Sequence, residues 1–558
     1  MKKTALTAAA LVLCTALGAQ NYTDALRYSD NTYEGTARTL AMGNAFTALG
    51  GDMGSLGINP AGSAVARYTQ FTVSLGPDIS IARTQGNEMP DGSLGFGKKM
   101  RTTKGAFDMP NIGGMINFNT GRTRGLKNWA IGFVVNGTST YTSDVFAKGV
   151  NTTTSAFGQM AARATDLAEE GYFTATDLNS SSAYNNLGFS YYDLISAYRI
   201  GAIGSISDKE FIGASEYATT SDDGKTSIST GPSGTTQSYG RTVTGGKSDF
   251  IVNLGFNFSD IVYFGANLGF ISLDYRSNEY LKEEAVEVGE VPVDFSDGTT
   301  TTRTYFKSAR KGTEYRASGS GVYGKFGVIL TPWKGLRLGA AIQTPTLQTI
   351  KERIWYTAEA AFENSRYGGS ETSPEGTFEY IVRSPMRANF GAALTFGTWG
   401  VLSADYELTN YRKMTFRVPG TSDNSEFDSA NNEILDLCGV QHYFRLGTEI
   451  KPVSQFAIRA GYTAKSSGVT YEYNSSNGLD KIKKVPYTHS ASFGLGYSSK
   501  GSFFADIAAI CYFYPASYIT PYADYIFNET TGDPDPYTPE ITCKSKLVKV
   551  VATLGWRF

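Results

Sequence analysis

The sequence predicts an all-β chain, a 14-stranded antiparallel transmembrane β-barrel. A small N-terminal hatch fills its lumen, and one long extracellular loop is partly helical. Three observations carry this expectation. The 558 residues include 62 Gly, 35 Tyr and 33 Phe but only 18 Pro, a mixture suited to many strands joined by turns. Apolar and polar residues alternate with period two in run after run. The connections between those runs alternate short and long.

Composition also excludes. With 41% hydrophobic residues and a mean hydropathy of −0.23, this is no bundle of membrane helices. Beyond the extreme N-terminus no apolar run is long enough for a spanning helix. Fifty basic against 52 acidic residues, a net charge of −2, argues against nucleic acid as a partner. Two His and four Cys leave little for a zinc site or a Cys/His pair. No catalytic residue, metal or cofactor is expected, and the chain reads as a non-enzyme.

Met1-Lys2-Lys3, the apolar stretch Ala5–Leu17 and the small residues Ala16 and Gly18 read as a cleaved signal peptide over residues 1–19. Cys14 follows Leu13, too large for a lipoprotein site. Of the remaining cysteines, Cys511 and Cys543 fall in opposite strand phases, which argues against a bridge.

Residues 20–67 do not alternate. They are rich in Gly, run from Gly35 to Asp52 and close with Asn59-Pro60-Ala61-Gly62. They read as a compact hatch, or else as a tether. Gly at lumen phases 132, 255, 265, 269, 327, 339, 391, 461, 494, 496 and 555 leaves room for it.

The barrel, residues 68–558, is built from runs such as Leu336, Leu338, Ala340 and Ile342 against Arg337, Gly339, Ala341 and Gln343. Fourteen strands follow: 69–82, 111–120, 127–143, 247–258, 261–283, 314–330, 336–362, 379–396, 400–416, 440–450, 455–464, 486–497, 502–514 and 543–558. Alternation alone fits a soluble sandwich as well. Sorting of short turns to one end and long loops to the other favours a membrane barrel. So do Trp129, Trp333, Trp399 and Trp556, all beside short turns, as a headgroup-level girdle requires. The terminal Trp556-Arg557-Phe558 resembles the signal read by the bacterial barrel-insertion machinery.

Two helical faces lie in the long loop 144–246. One carries Phe157, Met160, Ala164 and Leu167; the other carries Leu187, Tyr191, Leu194, Ile195 and Tyr198. They either form an apolar ligand groove or pack on the barrel rim. Lumen-phase charges such as Lys325, Arg387, Glu407, Arg445 and Lys549 read as an ion-pair ladder, with carboxylate recognition by one Arg as the alternative. Loop 284–313, with Lys282, Glu283, Glu284 and Glu287 beside it, reads as solvated. Asn136-Gly137 interrupts the third strand and marks a bend or simply a strand end.

Gly35–Asp52 followed by Asn59-Pro60-Ala61 resembles the N-terminal hatch of the FadL/TodX family of outer-membrane transporters, in its Bacteroidetes-type branch. Gly327–Thr344, Arg383–Tyr411 and Phe444–Tyr462 resemble its barrel strands. The resemblance implies a monomer in the bacterial outer membrane, among outer-membrane lipid and lipopolysaccharide. It implies passive uptake of hydrophobic small molecules, such as long-chain fatty acids or aromatic hydrocarbons. The hatch would rearrange and the ligand would leave sideways through a kink in the third strand, which places the exit at Asn136 and Gly137. The alternative is a barrel of this type serving as a component of a protein secretion system.

Overall fold

The computed structural model describes residues 21–558 apart from 89–94, 221–225, 231–233, 289–290, 295–299, 304–305, 364–367, 474–477, 524, 528–533 and 537. The expected signal peptide and Cys14 lie outside the described residues.

Fourteen antiparallel strands close into a barrel. They are β1 (Gln70–Gly86), β2 (Met100–Asn119), β3 (Leu126–Thr140, continued by Ser143–Asn151), β4 (Thr235–Phe258) and β5 (Val262–Ala285). Next come β6 (Phe306–Trp333), β7 (Leu336–Gln343 with Leu347–Phe362), β8 (Gly376–Arg383 with Arg387–Phe396), β9 (Gly400–Asn410) and β10 (Val440–Val453). The last are β11 (Phe456–Ser466), β12 (Tyr487–Ser498), β13 (Phe503–Phe513) and β14 (Ile541–Arg557). Each pairs with its sequence neighbour, and β1 closes on β14 from Gln70↔Arg557 to Gly86↔Ile541. Pro345 and Pro385, which have no N–H for the ladder, sit in the matching interruptions of β7 and β8.

Alternation now has a direction. Leu338, Ile342, Phe390, Leu402, Phe456, Ile458 and Leu554 are exposed on the outside, while Arg387, Asn389, Asp405, Arg445 and Thr553 are buried within. An apolar exterior around a polar interior is the inverse of a soluble fold and marks a membrane-spanning barrel. Aromatics ring its short-turn end: Phe118 stacks on Trp129 at 4.2 Å, Phe396 lies 5.5 Å from Trp399, and Phe503 lies 5.8 Å from Trp556. In one short turn at that end, Ser259 and Asp260 have φ of 58° and 61°. Asn257, Arg67 and Lys127 hold the Asp260 carboxylate there.

Several strands outrun the sequence expectation. β2 begins at Met100 rather than 111, β4 at Thr235 rather than 247, and β6 at Phe306 rather than 314. In β4 and β6 the extra residues rise above the apolar belt, where both strand faces meet water or loop and the alternating pattern is lost. In β2, Thr102, Thr103, Lys104 and Gly105 interrupt the apolar alternation at and just above belt height. Loops 83–110 and 144–246 are shorter than expected for the same reason. Cys438, Cys511 and Cys543 are all free.

The long loop between β3 and β4 carries helices α4 (Ala156–Glu169) and α5 (Tyr192–Arg199) among shorter pieces. Glu283 corrects one expectation: it is fully buried, not solvated. Its carboxylate accepts from Ala156 N at 2.7 Å, Ser155 Oγ at 2.7 Å and Gln237 Nε2 at 2.8 Å. An anion at a helix N-terminus meets unsatisfied amides and the positive dipole end, so Glu283 anchors α4 to β5.

Candidate functional site

The hatch occupies the lumen as α1 (Tyr22–Ser29), α2 (Ala37–Ala41), a 3-10 turn (Met53–Gly57) and α3 (Gly62–Val65). Short helices hold in this Gly-rich segment because capping replaces length. Asn21 and Asp24 form a capping box on α1, Thr36 caps α2, and Asp52 accepts from Gly54 N at 3.0 Å and from Thr36 Oγ1 at 2.6 Å. Gly43 and Asn44 turn the chain at φ 59° each, where Gly and Asn cost least.

Asn59-Pro60-Ala61 sits against β5–β7. Asn59 Oδ1 accepts from Ala61 N at 3.0 Å, closing an Asx turn. Its Nδ2 reaches Thr47 O at 2.7 Å and the wall carbonyls of Val328 (3.2 Å) and Ala340 (3.4 Å). Wall glycines admit this approach: a Cβ on Gly327 would lie 1.9 Å from Asn59 Oδ1, and one on Gly265 2.2 Å from Pro60 C. Gly132, Gly255, Gly339, Gly391, Gly461 and Gly494 likewise abut the hatch. Gly269, Gly496 and Gly555 instead make room for barrel side chains, namely Tyr323, Arg459 with Asp506, and Phe504.

The lumen charges pair off. Arg387 meets Glu407 at 3.2 Å, Arg445 meets Glu407 at 3.3 Å, and Arg459 meets Glu449 at 2.6 Å. The hatch joins this ladder through Arg38 on Glu449 (2.9 Å) and Thr47 N on Asp405 (2.7 Å). Arg337 donates to Leu49 O at 2.7 Å, and Lys325 to Gly57 O at 2.8 Å. These cations hold carboxylates or hatch carbonyls already, which is the ladder and not a vacant carboxylate receptor.

On the opposite side the wall is interrupted. β2 and β3 pair from Asn119↔Asn128 to Asn111↔Asn136 and then part. Pro110, unable to donate, is the next residue of β2. Residues 100–108 keep β1 as neighbour, from Asp108↔Gly76 to Met100↔Thr84. β3 shifts register against β4 between Gly137 and Ser139, and its continuation pairs with β4 alone. Thr84, buried on the inner phase of β1, donates to Phe146 O at 2.5 Å. The upper part of β3 therefore lies inside the line of the wall.

What draws it inward is the hatch. Thr32 N donates to Thr138 O at 2.7 Å and Glu34 N to Gly137 O at 2.9 Å, a two-rung ladder between hatch and β3. Gly137 permits it, since a Cβ there would lie 2.6 Å from Glu34 Oε2. Lys549 of β14 binds Glu34 at 2.5 Å and Asp78 at 3.0 Å, with Asp108 at 3.8 Å. A small cavity remains between hatch and wall, lined by Tyr33, Glu34, Asn136, Gly137, Thr138 and Asp249. The free edge stands at belt height: Pro77, Ile79 and Ile81 of outward-facing β1 lie opposite Phe107, Gly105 and Thr103. Phe107 is 73% exposed.

Asn136 and Gly137 thus lie at this break, while Asn59, Pro60 and Ala61 meet the wall two to four strands farther along, at β5–β7. Among the loop residues, Leu194 and Ile195 are fully buried with Phe157, Met160, Ala164 and Leu167 against Ala309, Ala358 and Ala360 of β6 and β7. Leu187, Tyr191 and Tyr198 are half-buried around that core. Pro110 and Glu34 escaped the sequence reading, and so did the pairing of Glu34 with Lys549, which the sequence showed only as one lumen-phase charge among others. Pro110 fell in an expected loop, and Glu34 and Lys549 lie 515 positions apart.

No family model matches the chain, and no curated protein matches it. Solved structures resemble it at low identity. A FadL homologue from Pseudomonas aeruginosa has a TM-score of 0.46 and 11% identity, over 94% of this chain and 99% of that one. The Pseudomonas putida toluene transporter TodX gives 0.47 and 12% over 94% and 99%. The Ralstonia pickettii toluene transporter TbuX gives 0.41 and 12% over 94% and 99%. With TM-scores below 0.5, the barrel assignment rests on the strand register described above.

Proposed function

We propose that the chain is a passive outer-membrane channel for hydrophobic small molecules, with long-chain fatty acids or similar lipids as the substrate class. Its long-loop end faces the cell exterior. The observation that carries this reading is the break between β2 and β3 at the height of the apolar belt, sealed from within by the hatch. A closed ladder leaves no route into lipid. A strand edge released at Asn111/Asn136 provides one, and an apolar ligand gains by entering lipid rather than an aqueous exit.

Capture starts at the half-buried ring Leu187, Tyr191 and Tyr198, while Leu194 and Ile195 hold that cap together. The hatch then shifts about its Asn59-Pro60-Ala61 anchor and withdraws Thr32 and Glu34 from β3. The ligand leaves past Asn136-Gly137, with Phe107 and Met109 outside. No energy source is involved, because the gradient and metabolic consumption drive net flow.

The test is uptake of radiolabelled oleate and of radiolabelled toluene by a deletion strain with and without the restored chain. Restored uptake of either supports the channel, and the stronger substrate sets the class. Equal, background-level uptake of both in the two strains overturns it.

A further inference from the structure

The outer face of the wall carries two rows of cations at its long-loop end, and they differ in one respect. On β5–β7, Arg276, Arg316 and Arg353 lie directly opposite one another. Each has a carboxylate beside it: Asp274 at 3.3 Å, Glu314 at 3.9 Å and Glu375 at 3.8 Å. On β2, β1 and β14, Arg101 faces Arg83, and Arg83 faces Lys544. Lys546, one step lower, faces Ile81 and Phe513 and lies 4.8 Å over the Phe513 ring. All four are exposed, and no described carboxylate lies within 4.0 Å of their charged nitrogens. Exposed Lys98 and Lys99 extend the row from the preceding turn. Of the nearby acids, Glu540 already accepts from Asn87 Nδ2, and Glu88 lies beyond the end of β1.

Like charges directly opposite on neighbouring strands destabilise a sheet, so an unpaired row calls for an anion from outside the chain. Its height says which. From Phe71 to Ile81, β1 presents apolar side chains outward, about 25 Å of tilted strand, the thickness of an outer-membrane apolar belt. Arg83, the next outward residue, is therefore at headgroup level. Arginine offers phosphate a planar two-pronged donor.

We propose that Arg83, Arg101, Lys544 and Lys546 form a docking site for the phosphorylated headgroup of a lipid A-type glycolipid. Its acyl chains lie on the belt below, beside the free edge of β2. This rests on the reading that the long-loop end faces outward. The bound headgroup neutralises the row and holds a lipid against the wall next to the break, so the site belongs to the lipid surroundings of the exit.

The experiment uses the full-length protein purified in neutral-detergent micelles and titrated with bis-phosphorylated lipid A or its dephosphorylated form. The combined variant Arg83→Gln, Arg101→Gln, Lys544→Gln and Lys546→Gln should bind bis-phosphorylated lipid A at least about tenfold more weakly. The paired-row variant Arg276→Gln, Arg316→Gln and Arg353→Gln should bind as the parent does. Dephosphorylated lipid A should bind the parent as weakly as the phosphorylated form binds the fourfold variant, and excess inorganic phosphate should not displace the lipid. Equal affinity of parent and fourfold variant overturns the site, as does equal affinity for the two lipids. Displacement by inorganic phosphate overturns the lipid as its occupant. Orientation is read separately: Ser422→Cys should label on intact cells, and its failure to do so would overturn the outward reading whatever the titration gives.

Discussion

The wall treats its hatch differently on its two sides. Between β5 and β6 the ladder is unbroken from Val262↔Leu330 to Glu284↔Ser308, and the hatch meets it through glycine gaps and Asn59. Between β2 and β3 the ladder stops at Asn111↔Asn136, and the hatch itself supplies the next rungs through Thr32 and Glu34. One side is a seat, fixed by shape. The other is a latch, held by two backbone hydrogen bonds and a lysine shared among three carboxylates. Shape contacts persist when a segment shifts slightly, whereas a two-rung ladder is either made or broken. For the proposed channel, the difference makes β3 the edge at which the hatch is expected to release.

Four experiments can break this comparison, the first with the largest effect. Cysteines at Asp108 and Thr140, whose side-chain oxygens approach to 3.5 Å, should bridge the break on oxidation. Oleate uptake should then fall to the deletion-strain level and return with reductant; full uptake by the bridged protein would remove the exit from this seam. Gly137→Val comes next. Its side chain collides with Glu34, pushes β3 outward toward β2 and should cut uptake severalfold while heat-modifiable gel mobility stays normal. Wild-type uptake would show that β3 need not turn inward.

Asn59→Ala probes the seat. Four contacts to buried acceptors and donors are lost, at a cost of about 1–3 kcal/mol of hatch docking. Limited proteolysis should cut the hatch faster while the barrel remains intact, and an unchanged cleavage rate would deny the motif its anchoring role. The smallest effect belongs to the turn at Asp260. Burial pushes its carboxyl up slightly, but Asn257, Lys127 and Arg67 together hold it below the usual carboxylate range. A lowered pKa gives a contribution that is complete above the unfolded value and lost as pH falls through the folded one. Acid should therefore weaken the parent more than Asp260→Asn, by less than about 1 kcal/mol for so exposed a set of pairs. Parallel acid-unfolding curves would set the turn aside.

Legibility in the sequence followed the solvent. Strands inside the belt declared themselves because lipid and lumen impose opposite demands on successive residues, as at Leu336–Gln343 and Val548–Phe558. The Asn59-Pro60-Ala61 motif stood out because Asn-Pro in a glycine-rich setting is a local signal, whereas its contacts to Val328 and Ala340 carry none. Glu34–Lys549 did not stand out, since neither residue carries any local mark of the other. The start of β2 was hidden because Thr102, Thr103, Lys104 and Gly105 interrupt the apolar alternation, even where Thr103 and Gly105 stand opposite the apolar residues of β1. Glu283 looked solvated among Lys282, Glu284 and Glu287, and only the position of α4 reveals why it is buried. At Asn136-Gly137 the sequence indicated an irregularity; the hatch ladder explains its direction.

The hatch also touches both ends of the strand order. Glu34 reaches Lys549, and Ala37 N donates to Thr553 Oγ1 at 2.7 Å, both on β14, while the chain leaving the hatch runs straight into β1. The β1–β14 seam is the last to form in any assembly that adds strands in sequence. A segment filling the lumen so closely, with wall glycines offering no clearance, has to be in place before that seam seals. For such an assembly the hatch is expected to act as a mandrel around which the first and last strands are brought into register.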